Sequence, residues 1–118
     1  MNSDAPNYSG TQNWMADLER RFPNRGTEQA IRQWLADKKK LDIGKEVTGE
    51  VVADMGNLIW LDIGVSRPAH LYFFNREDTC EGPPRMKDNP PIGTKLVCRI
   101  SQIGDSFIAV TQREMIDR

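Results

Sequence analysis

The chain predicts a mainly β fold: a small closed barrel of five strands, preceded by an N-terminal α-helical hairpin. Three observations carry this. Between Ile43 and Glu114, five short runs alternate apolar and polar residues in order, with Gly or polar residues between them. Ahead of them, residues 12–40 twice repeat apolar residues at helical spacing. The length, 118 residues, suits one compact domain with an extension.

Residues 1–11 are polar and include Pro6, Asn7 and Gly10, so a flexible tail is expected there. Residues 12–22 then place Trp14, Met15, Leu18 and Phe22 on one helical face, and Pro23 cannot continue that helix. Asn24, Arg25 and Gly26 form a turn. Thr27 offers an N-cap, and Glu28 puts a negative charge in the first turn, where the helix dipole favours it. Ala30, Ile31, Trp34 and Leu35 make the apolar stripe of the second helix, which ends in Lys38, Lys39 and Lys40. Residues 12–40 are therefore read as a hairpin extension. Short helices are marginal alone in water, so the stripe must find a surface. That surface is either the chain's own barrel or a partner protein docked by Trp14, Leu18, Phe22 and Trp34.

From residue 41 onward the barrel begins, and the period becomes two from Gly44. Val47, Gly49, Val51 and Ala53 alternate with Thr48, Glu50, Val52 and Asp54. In the second run Ile59, Leu61 and Ile63 share one face, and Leu58, Trp60 and Asp62 the other. In the third, Ala69, Leu71 and Phe73 oppose His70, Tyr72 and Phe74. Residues 75–92 hold four of the seven prolines, which argues against regular structure. The fourth run points Leu96, Cys98 and Ile100 inward and Val97, Arg99 and Ser101 outward. A turn at Gly104 and Asp105 leads to a fifth strand with Ile108 and Val110 inward.

Composition narrows the chemistry. No apolar run reaches the roughly 18–20 residues of a membrane-spanning helix, so no membrane insertion is expected. The first residues lack a basic segment followed by an apolar one, and Asp4, Asp17 and Glu19 are unlike an acid-poor transit peptide. The expected location is intracellular, in the cytoplasm or an organelle matrix or stroma. Two cysteines, Cys80 and Cys98, and a single histidine are too few for a structural zinc site. A disulfide and a reduced pair both remain open, the reduced intracellular pair being favoured. There is no phosphate-binding Gly loop ending in Lys-Ser or Lys-Thr, and no Ser or Cys nucleophile near a credible base. Asp54 and Asp62 are read as solvated carboxylates. The expectation is a binding module without a cofactor, not an enzyme. Charge is uneven: residues 1–40 carry +2 and residues 41–118 carry −3. An acidic barrel opposes strong, sequence-blind binding to phosphates.

If the apolar faces fill the barrel, Trp60, Tyr72 and Phe74 stand outside it, with His70 among them. Aromatic rings on neighbouring strands make a platform for unpaired bases, each stack being worth about 1–3 kcal/mol. Lys45, Arg67, Arg76, Lys95, Arg99 and Arg113 are candidates to hold phosphates at its edges, Lys45, Lys95 and Arg99 foremost. Single-stranded RNA suits such a platform because its bases are already splayed.

Residues 42–114 resemble the RNA-binding domain family first described as a repeat in ribosomal protein S-one, and they also resemble the domains of polynucleotide phosphorylase and related ribonucleases. Gly44, Gly49 and Val51 match the family's opening glycine and its Gly-x-Val. Trp60 stands before Leu61, Asp62, Ile63 and Gly64 where the family has an aromatic before a Val-Asp-Leu-Gly-like end. Ala69 to Tyr72 fall on its Gly-Leu-Val-His, Ile92 and Gly93 on its Val-Gly, and Val110 and Thr111 on its Leu-Ser. The resemblance implies a five-stranded oligonucleotide-binding (OB-fold) barrel that binds its ligand on the Trp60 and Tyr72 face. There are departures. The family's other aromatic falls near Met55. Of its Asp and Arg at the last hairpin, near Gly104 and Phe107, Asp105 can replace the first and the Arg is missing. Met55–Trp60 is two residues longer.

The expected function is thus a non-catalytic single-stranded RNA-binding module. It would belong to a larger protein or ribonucleoprotein assembly in translation, transcription or RNA processing. The alternative is a structural or assembly subunit that uses barrel and hairpin for protein contact.

Overall fold

The computed structural model describes residues 13–72, 75–76 and 89–113. Two helices, α1 (Trp14–Arg21) and α2 (Glu28–Lys38), precede five strands: β1 (Glu46–Asp54), β2 (Leu58–Asp62), β3 (Ala69–Tyr72), β4 (Lys95–Ile103) and β5 (Ile108–Thr111). The strands close into a barrel in the order β1-β2-β3-β5-β4. All neighbours are antiparallel except β3 and β5, which are parallel. This is a mainly β fold, an OB-fold barrel preceded by two helices, and its five strands are those that the alternation of the sequence predicts. The tail expected over residues 1–11 lies outside the described residues, as do Phe73, Phe74 and Cys80.

Period-two patterning fills the interior. Val51, Ile59, Leu61, Ala69, Leu71, Cys98, Ile100, Ile108 and Val110 are buried in one cluster. Trp34 of α2 joins it, only 1% exposed. Its indole Nε1–H donates to the Asp105 carbonyl oxygen at 2.7 Å. A large apolar ring with one polar edge can be buried this way, because the N–H finds an acceptor. So α2 plugs the barrel end where the β2–β3 connection and the β4–β5 turn meet. The plug is fastened twice more. The Ser66 backbone N–H donates to Asp37 at 2.9 Å, and the Lys38 ammonium to the Gly104 carbonyl oxygen at 3.3 Å. Helix α2 starts as its sequence suggests, the Thr27 hydroxyl oxygen accepting from the Ala30 N–H.

Helix α1 lies along the barrel wall instead. Leu18 and Phe22 are buried against Val52 and Ala53, with Trp14 and Trp60 partly buried beside them. Arg21 forms ion pairs with Glu50 and Asp62, each at 3.0 Å. The turn between the helices places Asn24, not Gly26, in the left-handed region, at φ 59°. Asparagine tolerates that conformation better than most side chains.

Two bulges correct the expected alternation. In β1 the register shifts between Val51 and Ala53, so that Val51 pairs with Leu61 but Ala53 with Trp60. Cross-strand partners share a face. Ala53, which strict alternation sets on the face of Val51, therefore faces outward under α1, and Val52 is buried there with it. Asp54, expected to be solvated, pairs with the interior Ile59 and is buried. Its carboxylate accepts from the Gly56 N–H at 3.0 Å and from the Asn89 side-chain amide at 2.9 Å. Asn89 in turn accepts from Arg76, which is 3% exposed. A buried carboxylate survives when its acceptor sites are filled in this way. This polar group closes the barrel end opposite Trp34. The second bulge, in β4, lies between Ile100 and Gln102.

Candidate nucleic-acid interface

Outward positions of β2 and β3 carry aromatic rings. The registers set Trp60 beside His70 and Leu58 beside Tyr72. His70 is the centre of the row. Its ring centroid lies 5.5 Å from that of Trp60 and 5.3 Å from that of Tyr72, both nearly perpendicular. A fourth ring, Phe107, lies 6.0 Å from His70 at an interplanar angle of 33°. The sequence reading gave Phe107 no place in the platform, although it opens the fifth run and alternates with the inward Ile108 and Val110. A second signal was Gly104. A Cβ on Gly104 would come within 1.9 Å of the Phe107 ring, so only glycine lets the ring fold over the turn. The Trp34 and Lys38 bonds to that turn hold Phe107 against His70.

Burial among these rings holds the His70 imidazole below its ordinary pKa. Burial of this kind favours the uncharged ring over the cation. Trp60 is half-covered by α1. Its indole N–H is buried, and no acceptor for it lies among the described residues. Such an orphaned donor costs about 1–3 kcal/mol.

The cations lie elsewhere. Lys95 and Arg99 are on β4 and line a groove of about 630 Å³ with Glu46, Val97, Gln112 and Arg113. Lys45 adjoins it, its carbonyl oxygen accepting from the Ile100 N–H at 2.9 Å. Arg99 donates to the Gly44 carbonyl oxygen at 3.2 Å and lies 3.8 Å from Glu46. The remaining sequence candidates are engaged in the fold. Arg67 donates to the Arg25 carbonyl oxygen at 3.1 Å, and Arg76 is buried. The structure thus brings Trp60, His70 and Tyr72 together, adds Phe107, and sets Lys45, Lys95 and Arg99 around the barrel from them. Phe74 lies outside the described residues. Of the residues considered for partner docking, Leu18, Phe22 and Trp34 are buried within this chain, and Trp14 is packed beside them.

The acidic charge of the barrel is partly neutralised. Arg21 holds Glu50 below the usual carboxylate range, through its hydrogen bond first and its charge second. Asp62 shares the same guanidinium, and Asp54 is buried. Asp37 also ionises more readily than usual. Burial opposes this, but hydrogen bonds from Ser66 and Gln33 and the charge of Lys40 outweigh it. Among the described residues no cluster of His, Cys, Asp and Glu could hold a metal ion, and no helix is long and apolar enough to cross a membrane.

No protein-family model matches the sequence, and no curated protein does. Among solved structures, the chain is similar to one from Pyrococcus horikoshii OT3 in the crystal structure of the a/eIF2alpha–aDim2p–rRNA complex. The TM-score is 0.53 at 14% identity, over 61% of this chain. The match takes in 44% of that chain, so this protein corresponds to less than half of its neighbour's length. At that identity the likeness is one of fold, and it agrees with the OB-fold barrel.

Proposed function

We propose that this protein is a non-catalytic module that binds single-stranded RNA on the outer face of β2 and β3. The observation that carries the reading is the row of Trp60, His70, Tyr72 and Phe107 outside a barrel whose apolar interior is already filled. Trp60 packs in part under α1, but His70, Tyr72 and Phe107 adjoin it without joining either hydrophobic cluster. Flat rings on a rigid sheet suit unpaired bases, and lysine and arginine within reach suit phosphates. The resemblance to the S-one domain family supports RNA over DNA. So does the fold neighbour, which comes from a complex that contains rRNA. On this reading the module works inside a larger ribonucleoprotein assembly in translation, transcription or RNA processing.

A second reading, protein contact within an assembly, is favoured by Ile31 and Leu35. These neighbours one turn apart on α2 are 42% and 47% exposed.

The test is fluorescence anisotropy with labelled single-stranded RNA at about 50 and 200 mM salt, a range over which phosphate contacts weaken strongly. Saturable, salt-dependent binding is expected. Replacing Trp60 and Tyr72 together by Ala should weaken it about tenfold or more, with the barrel still folded by circular dichroism. A folded protein that binds no RNA at micromolar concentration would instead favour the protein-contact reading.

A further inference from the structure

We infer that a bound strand passes from the aromatic row to the cationic groove over β5, at Ala109, and not over β1. This rests on the RNA-binding reading above and gives it a direction. The rings and the cations occupy different parts of a closed barrel, so two ways lead between them. One runs from β2 over β1 to β4, the other from β3 over β5 to β4.

The β1 way is obstructed by shape, and its charged groups are already engaged. Helix α1 sits on Val52 and Ala53, and Ala53 is the cross-strand neighbour of Trp60. Further along, Glu50 pairs with Asp62 on one side and with Lys95 on the other. Both carboxylates are already bonded to Arg21. A phosphate taking this path would meet a packed helix, and Arg21, the cation along it, is already held by Glu50 and Asp62.

The β5 way is low and uncharged. Ala109 pairs with His70 on one side and with Gln102 on the other. It faces outward between the buried Ile108 and Val110, and Gln102 is exposed. The crossing spans two inter-strand spacings, about 10 Å. Thr111, the other outward residue of β5, is buried and donates to the Asn75 carbonyl oxygen at 3.5 Å, which confines the passage to Ala109. Asp105 in the adjoining turn lies 3.9 Å from the Lys38 ammonium, which offsets the carboxylate there. Beyond Gln102 the strand reaches Arg99 and Lys45, and then the groove floored by Val97, which is 55% exposed.

The experiment compares Ala109→Glu with Arg21→Gln in the full chain. Arg21 lies on the β1 way, bonded to Glu50 and Asp62, and lines neither the groove nor the aromatic row, so the second variant changes the net charge by the same amount on the other way round. The probe is a labelled single-stranded RNA of about 12 nucleotides, within the site size of an OB-fold. Ala109→Glu should weaken binding about tenfold or more, and Arg21→Gln less than about threefold. Gln102→Glu, at an exposed position of β4, should reproduce the Ala109→Glu loss, and it decides the matter if Ala109→Glu does not fold. If the unaltered protein binds but Arg21→Gln causes the larger loss, or both Ala109→Glu and Gln102→Glu are neutral, the route is wrong and the aromatic platform stands. If the unaltered protein binds no RNA, the route falls together with the reading it rests on.

Discussion

The two helices have similar apolar stripes and opposite tasks. Helix α2 contributes one side chain, Trp34, to the main barrel core, and its polar edge is bonded to the turn it covers. Helix α1 never enters that core. It lies on the outside of β1, on Leu18 and Phe22, with Arg21 paired to two exposed-face carboxylates. The difference teaches that a plug and a cover are built from the same pattern. What separates them is whether the barrel offers an open end or a bulged wall.

The largest effect should come from the plug. Trp34→Ala should cost about 3–5 kcal/mol of stability by chemical denaturation, because it removes a fully buried ring and leaves a cavity. It should also release the Gly104–Phe107 turn, and with it the fourth ring of the row. Leu18→Ala, in the cover, should cost about 2–3 kcal/mol. Trp60 fluorescence should then shift to the red while the barrel stays closed. Equal losses from the two variants, or loss of the barrel in Leu18→Ala, would erase the distinction between plug and cover.

A smaller effect belongs to the start of α2. Thr27→Ala removes the acceptor for the Ala30 N–H and should cost about 1 kcal/mol. Replacement by Ser should restore most of it.

The smallest effect is one of pH. His70 binds its proton less readily in the folded state than in the unfolded state, because the ring is buried. Between its lowered pKa and the ordinary histidine value, the unfolded chain holds more protons, so stability rises with pH across that window. Below the lowered pKa this contribution is fully lost. His70→Phe should flatten the slope near pH 6 in thermal melts. Asp37 has the opposite sense of charge but the same sign of slope. Its pKa is lowered, so its contribution is present above the ordinary aspartate value and fades as pH falls through the folded pKa. Asp37→Asn should remove the acid-side loss without touching the slope near pH 6.

Much of the barrel was legible because its interior repeats every second residue. Ile59, Leu61, Ala69, Leu71, Cys98, Ile100, Ile108 and Val110 are all inside, as their spacing requires. The candidate site was only half legible. His70 and Tyr72 adjoin Trp60 because the β2–β3 register places them there, and alternation alone shows that they face outward. Phe107 was missed, since its position depends on a glycine turn held by a helix some seventy residues earlier. The cations Lys95 and Arg99 were identified by type, but their distance from the rings follows from strand order, which no local pattern encodes.

By itself, then, the sequence determined what alternates and what caps: five strands with an apolar side, a helix begun by Thr27, and a turn at Pro23 and Asn24. These are local consequences of side-chain periodicity and backbone preference. Tertiary structure alone decided which outward residues stay outward. The β1 bulge turned Ala53 toward α1 and Asp54 toward the barrel end, α1 covered Val52 and half of Trp60, and closure of the barrel set rings and cations on different strands. Such outcomes depend on contacts between residues distant in the chain, where packing and hydrogen-bond satisfaction outweigh the local pattern.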